Sequence, residues 1–459
     1  MRNTTEIIDE QRIFAILEGV RGNSRARVGQ ILSRAQARTG LSIEEAAELL
    51  TVEDGDLSRT ILDVAGEVKK DIYGERLVLF APLYISNFCV NDCDYCGFHK
   101  RNSQERTRLT PEEISGEAKA LIERGHKRVL LECGEDPELN TIDYVVEAIS
   151  TIYDTRSGNG EIRRVNVNIA PTDVDGFRRL KAAGIGTYQL FQETYHQQTY
   201  AALHRGPKAN FKRQILAHDN AFEAGIDDVG LGALFGLYDF KFEVLGLISH
   251  AHYLERTFGV GPHTISVPRL RAAPTVSIEQ QYGVNDEELL RIIAVLRLAL
   301  PYTGIILSTR EKPELRSRAF DIGVTQASAS SVATPGGYGA RKKTAIQFNL
   351  EDSRTVDTFL KDVIAQELLP SFCTACYRRG RTGETFMELA KPGDIQTLCR
   401  PNAILTFKEY LEDYASAGVR DGGKTVIDKY LPKIGNTGLR EETERRIKKI
   451  EAGERDLYF

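Results

Sequence analysis

The chain has 459 residues, with 60 Lys and Arg against 65 Asp and Glu, a net charge of -5, 41% hydrophobic and 27% charged residues. Composition of that kind excludes a disordered, collagen-like or membrane-embedded chain, and the slight negative charge offers no field for nucleic acid or an anionic bilayer. The seven cysteines are odd in number and clustered, which argues against a disulfide framework and for metal or cluster ligation in a reducing compartment.

The N-terminal residues carry no basic stretch followed by an apolar core, and no uncharged apolar run reaches the roughly 18 residues of a membrane span. The expectation is a cytoplasmic protein with neither signal peptide nor membrane segment. Residues 1–74 read as a helical extension. Apolar residues recur every three or four positions over 7–17, 26–37 and 57–72, with turn signals at Gly22-Asn23, Gly40 and Gly55.

Beyond residue 74 the rhythm changes. Short apolar runs suited to buried strands occur at 77–85, 128–132, 165–170, 187–192, 228–234, 264–270, 303–308 and 323–327. Amphipathic helical patterns fall between them, for instance at 112–123, 174–183, 214–224 and 286–298. Thr110 followed by Pro111 marks one helix start, the threonine as N-cap and the proline where its missing N–H costs nothing. Strand and helix alternating eight times predict an α/β fold, a (β/α)8 TIM barrel over 75–369; an open doubly wound sheet is the alternative. A glycine-rich passage around Gly336-Gly337-Tyr338 precedes a last barrel helix near 356–367, and residues 370–459 form a further segment rich in Arg, Gly and Cys before Lys- and Glu-rich helix.

The cysteines fall into two triplets. Cys89, Cys93 and Cys96 follow the first strand at the end where barrels build active sites from their loops. Three thiolates hold three irons of a cubane cluster and leave the fourth open to a ligand. Structural zinc held by these three and His99 is the alternative. Cys373, Cys376 and Cys399 form the second set, equally incomplete; a zinc ribbon lacking one ligand is its plainer reading. Cys133 stands alone and reads as a small buried residue.

The CxxxCxxC spacing with Tyr95 before the last cysteine resembles the radical S-adenosylmethionine superfamily. That resemblance implies a 4Fe-4S cluster that binds S-adenosylmethionine at its open iron and cleaves it reductively to a 5'-deoxyadenosyl radical. It places Tyr95, Gly134, Glu135, Gly230 and Gly232 as cofactor-binding positions, the Gly134-Glu135 turn through its carbonyls. The second triplet behind such a barrel is similar to the tyrosine lyases of FeFe hydrogenase maturation. Gln192-Glu193-Thr194-Tyr195, Ser308-Thr309-Arg310-Glu311 and Gly336-Gly337-Tyr338 are shared with these and with the 2-iminoacetate synthases of thiamine biosynthesis, which lack the second triplet.

The resemblance implies cleavage of the Cα–Cβ bond of L-tyrosine to p-cresol and dehydroglycine, and conversion of the latter to carbon monoxide and cyanide for an iron-carbonyl-cyanide precursor of the H-cluster. Arg310 is the candidate for the substrate carboxylate, since a guanidinium grips a carboxylate through two hydrogen bonds. Glu193 and Gln192 are candidates for cofactor or substrate ammonium, and Ser308 for a substrate contact. His263 resembles the family ligand of a labile iron on the second iron-sulfur cluster, held by Cys373, Cys376 and Cys399, with free cysteine as a further iron ligand. A ferredoxin or flavodoxin is the implied electron donor and other hydrogenase maturases the implied partners. A barrel bore joining the two sites is also implied. A 2-iminoacetate synthase-like lyase and a non-catalytic iron-sulfur scaffold are the alternatives. One departure stands out: Ser328-Ala329-Ser330-Ser331 lacks the glycine expected in the turn after the eighth strand, which puts that turn's geometry in question.

Overall fold

The computed structural model describes residues 4–20, 24–276, 278–339 and 344–459, so the turn expected at Gly22-Asn23 lies outside the described residues. Eight parallel strands close a barrel: β1 (Arg76–Ser86), β2 (Arg128–Cys133), β3 (Arg164–Asn168), β4 (Tyr188–Gln189), β5 (Val229–Gly232), β6 (Thr264–Ser266), β7 (Gly304–Leu307) and β8 (Val324–Ser328). Each pairs with the next in sequence, and β8 pairs back onto β1 at Val78–Gln326 and Phe80–Ser328. Closure removes the open edges that a doubly wound sheet would keep. Each strand falls within or beside a predicted run. The fourth and sixth are shorter than expected because their upper residues leave the ladder to form loops.

Helix starts obey local chemistry. Thr110 Oγ1 accepts from the Glu113 amide while Glu113 accepts from the Thr110 amide, a capping box on the helix Pro111–Glu123. The helix expected over 214–224 is split into Phe211–Ile215 and Ala217–Glu223. The N-terminal helices Glu10–Gly19, Arg25–Gln36, Ile43–Leu50 and Gly55–Tyr73 lie on the barrel helices Phe240–Phe258, Asp286–Ala299 and Pro313–Ile322. One continuous apolar core runs from Ile7 through the barrel to Ile434.

A ninth strand, β9 (Leu369–Ser371), adds in parallel to the start of β1, with Arg76 opposite Leu369 and Val78 opposite Ser371. It delivers Cys373 to the N-terminal end of the barrel, whereas Cys89 follows the C-terminal end of β1. The two thiol sets therefore stand at opposite ends of an 11-residue strand, on the order of 30 Å of chain at about 3.3 Å per residue.

Candidate active site

The loop after β1 turns tightly. The Cys96 amide donates to the Cys93 carbonyl at 3.4 Å, and the Val90 amide donates to the Glu135 carbonyl at 2.7 Å, stitching the loop to the end of β2. A Cβ at Gly134 would collide with the Phe88 carbonyl and Cys89, so only glycine lets β2 pass this closely. The Phe98 amide points at Cys96 Sγ (3.4 Å) and Asn91 Nδ2 at Cys89 Sγ (3.8 Å). Burial raises all three thiols, Cys96 to about 11. They are thus a donor set whose thiolates need a cation beside them, which fits an iron-sulfur cluster. No three His, Cys, Asp or Glu side chains among the described residues converge as the ligands of a single ion would. A cubane does not require that, since its thiolates bind different irons. His99 does not complete a zinc set: Nδ1 faces Asp92 Oδ1 and Nε2 faces Thr275 Oγ1, both at 3.2 Å.

Below this loop lies a cavity that opens to solvent. Glu132, Asn168, Ser266, Ser308 and Ser328 line it together with Phe80, Leu130 and Ile306, which pack against one another as an apolar cluster; Ser328 and Ser266 stand opposite Phe80 and Ile306 on the neighbouring strands. No residue of the second thiol set lines this cavity.

Arg310 lines the cavity with its guanidinium 3.3 Å from the centre of the Phe348 ring, and has no ion pair among the described residues. Its neighbour Glu311 does not compete for it, being held by Arg269 and Arg271. Ser308 Oγ accepts from the Arg310 amide at 3.3 Å and also lines the cavity. Glu193 does so too, with φ +68°, and accepts from Lys208 Nζ at 2.7 Å. Burial pulls the Lys208 ammonium down, but Glu193, Cys93 and Tyr200 more than offset this and raise it. Gln192 is buried behind the wall, its Nε2 without a partner among the described residues. Tyr95 donates its hydroxyl to His204 Nε2 (2.7 Å), because His204 Nδ1 is committed to the Tyr200 carbonyl.

The other cofactor-binding expectations meet mixed geometry. The Gly134 carbonyl accepts from Asn140 Nδ2 (2.8 Å) and that of Glu135 from Val90, each keeping a second lone pair. The Glu135 side chain pairs with Arg213 (2.6 Å). Gly230 and Gly232 do not line the cavity; a Cβ there would meet Gln189 and Thr264, and the Phe191 ring, so both glycines serve wall packing. Tyr338 likewise serves the fold, donating to the Pro82 carbonyl (2.7 Å) while its amide is held by Glu117 (2.8 Å). Cys133 lines the cavity. Ser330 answers the question raised by the missing glycine: its φ is +53°, so serine adopts the left-handed conformation that glycine takes freely.

At the opposite end, Cys376 and Cys399 share a hydrogen bond, and that bond with the nearby Arg381 and Arg76 cations lowers Cys376. Burial raises Cys373, whose carbonyl accepts from Arg128 Nη2 at 2.6 Å. Arginines around three thiols suit an anionic cluster. His263 stands close by, its ring 4.1 Å from that of Phe386 and 5.9 Å from that of Tyr377, the residue after Cys376. Burial lowers it to about 4, with Asp228 opposing, so the imidazole is neutral as a metal ligand must be. Sequence patterns gave no sign of Lys208, Asn91, Glu132 or the arginines 76 and 128, which follow no motif spacing and become neighbours only when the barrel closes.

A closed parallel barrel with three thiols on its first loop defines a radical S-adenosylmethionine enzyme. The family model of the Radical SAM superfamily matches residues 83–247, and that of the Biotin and Thiamin Synthesis associated domain matches 266–368. Membership of that superfamily implies a 4Fe-4S cluster and S-adenosylmethionine. The crystal structure of HydG, a maturase of the FeFe-hydrogenase, is 51% identical and superposes with TM-score 0.97 over 99% of this chain and 100% of that one. The HydG of Carboxydothermus hydrogenoformans is 41% identical, TM-score 0.86, over 97% and 100%. The 2-iminoacetate synthase of Salmonella typhimurium is 30% identical over 76% of this chain and 91% of its own. The chain belongs to the HydG family of FeFe-hydrogenase maturases. Among the described residues no helix is long and apolar enough to cross a membrane.

Proposed function

We propose that the protein cleaves L-tyrosine at the Cα–Cβ bond to p-cresol and dehydroglycine, and that the latter yields carbon monoxide and cyanide for an iron-carbonyl-cyanide precursor of the hydrogenase H-cluster. The observation that carries this reading is the second thiol set at the far end of the barrel. A 2-iminoacetate synthase reading leaves Cys373, Cys376, Cys399 and His263 without a task, and its match leaves about a quarter of the chain unaccounted for.

Cys89, Cys93 and Cys96 would hold the first cluster, with Tyr95, Gly134 and Glu135 beside its ligand. Bound together, the cluster and S-adenosylmethionine supply the one-electron chemistry that removes a hydrogen atom from the substrate. Arg310 holds the substrate carboxylate; Phe348 against its face fixes the plane of the guanidinium. Ser308, on the same segment, sets the height of Arg310 through its amide. Lys208 neutralises Glu193, so the cavity keeps its acids without repelling a carboxylate substrate. Cys373, Cys376, Cys399 and His263 would hold the second cluster and its labile iron, with free cysteine as a further ligand. A ferredoxin or flavodoxin is the electron donor in this reading, other hydrogenase maturases receive the product, and the cytoplasm is the compartment.

Anaerobic incubation of the reconstituted protein with tyrosine, S-adenosylmethionine and a reductant should release p-cresol. Cys373→Ser with Cys376→Ser should leave p-cresol release intact and abolish iron-bound carbonyl and cyanide. Release of p-cresol with neither diatomic from the unsubstituted protein would return it to the iminoacetate reading, and absence of p-cresol from the intact protein would end the lyase reading.

A further inference from the structure

Three carboxylates line the cavity, and two already have cations: Glu135 pairs with Arg213 and accepts from Asn91 (2.6 Å each), and Glu193 pairs with Lys208 (2.7 Å). The third, Glu132 near the end of β2, has no ion pair among the described residues. The groups that face it are the Tyr84 phenol from β1, Arg310 from the segment after β7, Glu193 from the segment after β4, and its chain neighbour Cys133. The Tyr84 hydroxyl lies within hydrogen-bonding reach of both Gln347 Oε1 (2.7 Å) and Glu132. Arg310, which also lines the cavity, is equally without an ion pair among the described residues. Among the described residues the cavity therefore keeps one carboxylate and one guanidinium that feel each other without forming an ion pair. That is the complement of a zwitterion.

Resting on the lyase reading above, we propose that Glu132 receives the α-ammonium group of the amino-acid substrate opposite Arg310 on its α-carboxylate, and that it takes one ammonium proton before the N–H bond is broken. The transfer balances: one proton passes from nitrogen to a Glu132 oxygen, the N–H electron pair stays as the amine lone pair, and both groups become neutral. No electron is gained or lost. Loss of a hydrogen atom from the neutral amine avoids a nitrogen radical cation in a buried cavity, where an added charge is costly. Burial drives Glu132 up to about 7, against the pull of Tyr84 and Arg310 and with the push of Glu193. A carboxyl near neutrality is a better proton acceptor than an ordinary one.

The test uses the reconstituted full-length protein and two probes, tyrosine and 3-(4-hydroxyphenyl)propanoate, which lacks the amine. Equilibrium binding is measured anaerobically without reductant for the unsubstituted protein, Glu132→Gln, Glu132→Asp and Glu193→Gln. Glu132→Gln should weaken tyrosine roughly 10- to 100-fold, as loss of a buried charged hydrogen bond does, and the amine-free probe by less than ~3-fold. Glu132→Asp, which keeps the carboxylate, should restore part of the preference for tyrosine. A loss equal for both probes, or none, overturns the proposal, as does a tyrosine-selective loss in Glu193→Gln. Failure of the lyase reading itself is told apart, because it appears in the unsubstituted protein as an absence of p-cresol.

Discussion

Arg163 grips Glu409 through two hydrogen bonds of 2.7 and 3.0 Å, and Lys127 reaches the same carboxylate at 3.1 Å. Glu409 lies on the helix Ile395–Asp413 that also carries Cys399, while Lys127 and Arg163 stand just before β2 and β3. This buried triad fixes the segment of the second thiol set to the base of the barrel. Burial disfavours the Glu409 charge, but Arg163 and Lys127 prevail and bring it down to about 2.

Glu409→Gln should therefore destabilise the protein by about 3–5 kcal/mol, since it leaves buried cations facing a neutral amide. Thermal unfolding measures this. The pH dependence has a definite sign. The folded carboxyl titrates below the unfolded one, so its stabilisation is complete above about pH 4.5 and is lost as pH falls toward 2. The variant should lack that part of the acid sensitivity; an unchanged acid unfolding profile would show that Glu409 does not carry it.

Ser330 makes a second prediction. A left-handed serine costs about 1 kcal/mol that glycine does not, offset in part by the greater freedom of glycine in the unfolded chain. Ser330→Gly should leave stability equal or raise it by up to about 1 kcal/mol, with unchanged p-cresol release. A loss of more than that in chemical denaturation would mean that the serine side chain is needed where it stands.

The barrel was legible because parallel strands buried on both faces leave short apolar runs, and the spacing of crossover helices counts them. Upper segments after β4 and β6 were overextended, since apolar residues such as Leu190 and Val267 continue inward after the ladder ends. The thiol sets were legible as spacings. Glu132 was not, because it sits inside a run read only as strand, and nothing local tells whether an acid faces a cation. The same holds for Lys208, whose partner Glu193 is 15 residues away. Gly230 and Gly232 illustrate the opposite case: a glycine pair at a ligand and a glycine pair packed under Phe191 look alike in sequence. The apolar cluster was also invisible, because Phe80, Leu130 and Ile306 lie far apart in the sequence.

That cluster supports the last prediction. If dehydroglycine formed in the cavity reaches the second thiol set through the barrel, it passes Phe80, Leu130 and Ile306, which line the cavity as one apolar cluster. Enlarging one of them should hinder transit without touching the groups that bind tyrosine. Leu130→Phe should keep p-cresol release and lower iron-bound carbonyl and cyanide, read by infrared absorption, per p-cresol formed. Overpacking costs roughly 1–3 kcal/mol, so the variant must be compared at a temperature where it remains folded. Ile306→Ala supplies the converse: a gap in the cluster should restore the ratio when combined with Leu130→Phe. A ratio indifferent to both substitutions would place the route outside the barrel, around the strands rather than between them.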